Sequence, residues 1–182
     1  MLKWFMKRKL RAFGDAFGYD TSYGAELIDT DPAAGLALAR LSKVAAYQAD
    51  APAPAWYAAK IVAAMSEDCG PCVQLGVTMA QRGGVSDSDL RGIIVGDVAR
   101  MSADASLGYR FAKALLARSA ELEALRDEIQ RRWGAKALAA ISITIVASRT
   151  FPALKYALGH GQSCQAVEIG GDMVAPNEIA YA

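Results

Sequence analysis

The sequence predicts an all-α fold, and three observations carry that expectation. Alanine and other strong helix formers dominate the 182 residues. β-branched residues cluster only near Ile141 to Val146. Apolar residues recur at helical spacing in successive segments, each bounded by proline, glycine or a capping residue. With 53% hydrophobic residues, the chain can bury a core as one domain without staples.

Taken in order, residues 1–13, MLKWFMKRKLRAF, set Lys3, Lys7, Arg8, Lys9 and Arg11 among Leu2, Trp4, Phe5, Met6, Leu10 and Phe13. This is a basic helix with an aromatic face. Such a helix suits an anionic membrane surface, but Asp15, Asp20, Glu26, Asp29 and Asp31 follow closely. Neutralisation within the fold, or packing on a second subunit, is therefore preferred to membrane contact. The stretch GDAFGYDTSYG reads as a loop, so residues 1–30 form an arm and loop ahead of a helical domain at 31–160. The tail, 161–182, has little periodicity and reads as irregular or partly disordered.

Within the domain, Asp31-Pro32 offers an N-cap followed by proline at the first helical position, opening a helix to about Gln48. DAPAPA breaks it, and a second helix runs from about Pro54 to Met65. CGPC opens a third, which ends at RGG. Ser86 and Asp89 form a capping-box-like start for a fourth helix to about Met101. A fifth spans about Asp104–Arg118 and a sixth about Glu121–Trp133, and Gly134 separates the sixth from a long apolar helix reaching Leu158. The most apolar run, Ala137 to Ser148, falls short of the roughly 20 residues a bilayer requires and reads as buried.

A formal net charge of +1 and the lack of a basic recognition helix or aromatic RNA motif give no basis for a nucleic-acid partner. No cofactor motif stands out. GHGQSCQAVEIGG follows no strand and opens no clear helix, which argues against a phosphate loop. Three cysteines cannot all pair within one chain, and the N-terminal residues do not follow a secretory pattern. The expectation is a reducing cytoplasm, where a CxxC pair is more often catalytic or metal-binding than structural.

The central motif is SEDCGPCVQLG, with Cys69 and Cys72 at a helix start. A helix N-terminus presents unpaired N–H groups and the positive end of the macrodipole, which favours a thiolate. The second sulfur, one turn away, is placed to close a disulfide.

The order WYAAKIVAAMSEDCGPCVQLGVTMAQRGGVSDSDLRGII, residues 56–94, resembles the core of the carboxymuconolactone decarboxylase/alkylhydroperoxidase D (AhpD-like) superfamily. The match covers about residues 54–100, and the later helices fit the family layout more loosely. The resemblance implies an AhpD-like helical bundle that assembles into homo-oligomers, from dimer to hexamer. It also implies peroxidase or disulfide-reductase chemistry, with a peroxide or disulfide substrate and an external dithiol reductant. In redox-active members the second cysteine attacks and the first resolves, which places those roles on Cys72 and Cys69. The family's Glu and His positions fall on Tyr57 and Gly76, so half of the signature is replaced. Lactone decarboxylation is disfavoured, because that branch does not depend on a CxxC pair.

Candidates for the missing proton relay are Glu67, Tyr57 and His160, set against plainer roles as a helix cap, a buried aromatic and a C-terminal helix cap. Gln74 offers hydrogen bonding without titration. His160 also precedes Cys164 by four residues, so Cys69, Cys72, His160 and Cys164 compose an alternative Cys3His zinc set. Otherwise Cys164 is a third exchangeable thiol or a plain tail thiol. Arg149, inside the last helix, requires a partner such as Glu67 or Asp97. The preferred function is a thiol-dependent oxidoreductase. The alternative is a non-catalytic helical assembly or binding protein whose cysteines are structural or zinc-bound.

Overall fold

The computed structural model describes residues 1–164 and 166–176, and Gln165 and residues 177–182 of the expected tail lie outside the described residues. Eight helices carry the described chain: α1 (Leu2–Phe17), α2 (Ser22–Thr30), α3 (Pro32–Ala45), α4 (Ala53–Met65), α5 (Gly70–Arg82), α6 (Asp87–Val95), α7 (Ala103–Ala117) and α8 (Leu122–Ala157). A 3-10 turn at Val98–Arg100 links α6 to α7, and a small antiparallel hairpin, β1 (Val167–Ile169) and β2 (Asp172–Val174), follows α8. The class is all-α, as the sequence predicts.

The core forms around α4. This helix buries Ala55, Trp56, Ala58, Ala59, Ile61, Val62, Ala63, Ala64 and Met65, and packs against α5, α6, α7 and α8. A helix apolar on every side belongs in the interior, and its alanines let neighbours approach closely. The tightest approach is to α7, where a Cβ on Gly108 would lie 2.6 Å from the Ala55 Cα. Any side chain at Gly108 would push the two helices apart.

Helix ends follow their caps. The Asp31 carboxylate accepts the Ala33 N–H at 2.9 Å, with Pro32 at the first helical position. At α6, Ser86 Oγ accepts the Asp89 N–H at 3.1 Å while its hydroxyl donates to the Asp89 carboxylate. The same buried carboxylate accepts the Ser102 N–H and hydroxyl at the start of α7, joining two helix N-termini. The expected fourth helix stops early, at Val95, because Gly96 adopts φ +75°, and the Asp97 side chain then caps the 3-10 turn. Gly134, at φ +82°, breaks α8 where the sequence places a separator. An 18-residue window of α8 is apolar enough to cross a bilayer by length and composition. In the bundle, Ala137, Ala140, Ile141, Thr144, Ile145 and Ser148 of this helix are buried, and α8 packs against α4, α7 and α3.

Both chain ends correct the sequence reading. GDAFGYDTSYG is not a loop: α1 continues to Phe17, α2 starts at Ser22, and only residues 18–21 connect them. The expected charge neutralisation is present, since Lys7 pairs with Asp29 at 2.6 Å and Lys3 donates to the Asp29 carbonyl. Met6 and Leu10 seat against Gly35 and Gly24, whereas Leu2, Trp4 and Phe5 stay exposed. In the tail, Gly170 and Gly171 both take positive φ and turn a hairpin whose Val167 and Ile169 are fully buried. The Gln74 amide pairs with Glu168 like a neighbouring strand, accepting its N–H at 2.7 Å and donating to its carbonyl.

Two outcomes test this packing. Asp89→Ala removes the acceptor shared by two helix N-termini and should cost about 2–4 kcal/mol, read as a lowered denaturation midpoint. Lys60 donates to the Ala45 carbonyl and lies over the Trp56 ring, and burial pulls its pKa down from 10.5 to about 8. The folded state therefore binds fewer protons than the unfolded chain between those values, so stability should rise with pH across that window. Denaturation followed from about pH 8 to about pH 9.5 should show a shallower rise in Lys60→Met, with the remainder coming from Lys155 and Lys113, which burial also lowers.

Candidate functional site

The cysteine pair sits where α4 hands over to α5. Asp68 adopts φ +48°, turning the chain so that Cys69 is the N-cap of α5, Gly70 and Pro71 open the helix, and Cys72 follows in its first turn. Proline costs nothing there, because the N–H it lacks would have had no helical acceptor. Cys69 and Cys72 are disulfide-bonded, with Cα atoms 5.3 Å apart. Cys69 is 0% exposed and Cys72 9%, so the second sulfur is the more approachable.

The chain beyond α8 folds over this turn. The Gly70 N–H donates to the Gln162 carbonyl at 3.0 Å, the Cys164 N–H donates to the Asp68 carboxylate at 2.9 Å, and the Tyr156 hydroxyl donates to the Asp68 carbonyl at 2.7 Å. A Cβ on Gly70 would lie 2.8 Å from the Ser163 carbonyl oxygen and 3.1 Å from the Cys164 Cα. Glycine is thus the residue that admits the covering segment. Beside it opens a recess of about 580 Å³ lined by Gly70, Pro71, Gly161, Gln162, Ser163 and Ala166.

The N-terminal segment covers the Cys72 side. The Tyr19 hydroxyl lies 3.9 Å from Cys72 Sγ, at the long limit for a sulfur hydrogen bond. Lys155, only 1% exposed, places its ammonium 4.9 Å from the Tyr19 ring centroid and 5.6 Å from that of Tyr23. These aromatic faces hold a cation that burial would otherwise neutralise. Burial pulls the Lys155 pKa down, and the Asp20 carboxylate opposes that shift. Burial pushes the Tyr19 and Tyr23 hydroxyls up, so both stay protonated at neutral pH.

Of the relay candidates, the structure gathers none at the sulfurs. Glu67 forms an ion pair with Arg149 at 2.5 Å, supplying the partner Arg149 requires, while Asp97 pairs with Arg100. Tyr57 lies against Gly83, at the far end of α5 and about 16 Å along the helix from Cys72. His160 faces α2, with Nδ1 3.2 Å from Ser22 Oγ and Nε2 2.8 Å from Glu26. It fastens the tail to the N-terminal helices. The Cys69, Cys72, His160 and Cys164 zinc set is not assembled. Two of its sulfurs are bonded to each other and its imidazole is turned to α2, and among the described residues no group of three or more His, Cys, Asp or Glu side chains is arranged to hold a metal.

Tyr19, Tyr23 and Lys155 were not legible as site residues. The tyrosines belong to a stretch that resembles a loop, and Lys155 resembles an interruption of an apolar helix. Only the fold brings residues 19 and 155 to residue 72.

Gly70→Ala should displace residues 161–164 and expose the pair. The expected readout is faster reduction of the disulfide by a small thiol, by about tenfold, with helix content retained. Comparisons of the chain with protein-family models, with curated proteins and with solved structures give no match.

Proposed function

We propose that the protein is a thiol-dependent oxidoreductase of AhpD-like type that cycles between a Cys69/Cys72 dithiol and its disulfide. The observation that carries this reading is the disulfide-bonded pair at the N-terminus of α5 with the Tyr19 hydroxyl against Cys72. In the reduced protein three features favour a Cys72 thiolate: the first-turn N–H groups of α5, the Tyr19 hydroxyl as a donor, and the Lys155 ammonium behind it.

The chemistry balances as follows. The Cys72 thiolate attacks a substrate disulfide, forming a mixed disulfide and releasing one thiolate, which takes a proton. Cys69, after losing its proton, attacks the Cys72 sulfur, closing the Cys69–Cys72 bond and releasing the second thiol. With a peroxide, Cys72 becomes a sulfenic acid as an alcohol departs, and Cys69 closes the same bond with loss of water. An external dithiol is oxidised to reset the pair. Where redox-active family members resemble a Glu and His relay, this chain has Tyr57 and Gly76, and a Cβ on Gly76 already lies 3.2 Å from Ile61. Tyr19, backed by Tyr23 and Lys155, is the hydroxyl that stands at the attacking sulfur in their place.

A second reading, a structural disulfide in a non-catalytic helical protein, draws on the complete burial of Cys69. The two separate on one experiment. Cys69→Ser should trap a mixed disulfide on Cys72 when a disulfide substrate is added, seen by intact mass, while Cys72→Ser should trap none. If reduction of the native pair lowers the melting temperature by many degrees and the dithiol reduces disulfides no faster than free cysteine, the structural reading stands instead. Lys155→Met should move the acid limb of the exchange rate up by about one pH unit, because a thiolate loses a nearby cation.

A further inference from the structure

α1 has two faces of different chemistry. Its inner face, Met6, Leu10 and Phe13, is partly buried and packs toward α2, α3 and α5, with Lys3 and Lys7 fastened to Asp29. Its outer face carries Trp4, Arg8 and Arg11 in one helical strip and Phe5 and Lys9 in the next. Leu2, Trp4 and Phe5 are 55%, 64% and 50% exposed, and Met1 stands fully clear. The cations lie on the rings: the Arg8 guanidinium is 5.5 Å from the Trp4 centroid and the Lys9 ammonium 4.6 Å from that of Phe5.

We propose that this outer face of α1 binds an anionic lipid surface. This goes beyond the thiol chemistry and does not depend on it. Tryptophan and phenylalanine beside arginine and lysine on one helix face match the headgroup boundary, with rings entering the acyl region and cations meeting lipid phosphates or carboxylates. Asp15 is the one acid in α1 and lies at the end remote from the exposed rings. A second copy of the chain fits poorly, because a two-fold contact would set Arg8, Lys9 and Arg11 against the same three residues. A nucleic acid would meet the cations and leave Met1 and Leu2 in water. The sequence ranks membrane contact low because acids follow the basic arm closely; in the fold Asp29 engages Lys3 and Lys7, while Leu2, Trp4 and Phe5 stay exposed beside Arg8 and Lys9.

The test is co-sedimentation of the full chain with phosphatidylcholine vesicles and with vesicles holding about one third phosphatidylserine. The expected result is binding to the anionic vesicles, much weaker binding to the neutral ones, and a loss of about tenfold or more in partitioning for both Trp4→Ala/Phe5→Ala and Arg8→Ser/Lys9→Ser. Absence of binding to the anionic vesicles at low salt overturns the proposal. So does binding that both double variants retain in full. A wild-type oligomer that Trp4→Ala/Phe5→Ala converts to monomer, without vesicle binding, would assign the face to a second copy.

Discussion

The depth at which α4 can be buried sets the geometry of everything around it. Helices ordinarily pack with axes 8–10 Å apart, and one helix can be enclosed by four others only if its side chains are short on the crowded sides. α4 meets that condition with five of its nine buried positions filled by alanine, and α7 meets it from the other side with Gly108 against Ala55. Because α5 follows α4 after a turn of four residues, the position of α4 also fixes where the first turn of α5 begins. The disulfide is therefore anchored next to the most buried helix of the bundle, while the groups that cover it come from the N-terminal segment and from the chain beyond α8.

Electrostatics joins those peripheral segments. A buried ammonium requires compensation, and Lys155 receives it from two tyrosine faces and from Asp20, all on the N-terminal side of the chain. Asp20 also accepts the Ser22 hydroxyl, which meets His160, which in turn reaches Glu26. A single polar network thus runs from the residue that follows Tyr19 to the start of the covering tail. Its cost is the desolvation of one lysine. Its result is that Tyr19 occupies a defined position beside Cys72, with Lys155 against its ring.

The bundle was readable because its signals are local. Caps at Asp31 and Ser86, proline at Pro32 and Pro71, and glycine at Gly134 each act within a few residues, and helical periodicity accounts for the rest. The cysteine pair was readable for the same reason. The hairpin was missed because three-residue strands give too short an alternation, and its best clue is a Gly170–Gly171 turn between two apolar pairs. Spacing along the chain does not say which surfaces meet, so the side chains that surround the pair were not legible. Glu67, adjacent to Cys69, is held by Arg149 from α8, whereas Tyr19, far away in sequence, reaches Cys72.

The covering segment has a consequence for biosynthesis. Tyr19 is made before the cysteines, which follow some fifty residues later, and Gln162 to Cys164 come about ninety residues after Cys72. Domains fold largely as units, and N-terminal segments wait for their partners. Until residue 164 is free, the Gly70 N–H has no carbonyl from Gln162 and the turn is open to any oxidant or thiol present. The nascent protein therefore passes through an interval in which its dithiol is chemically unguarded, and the length of that interval is set by the time needed to translate α6, α7 and α8.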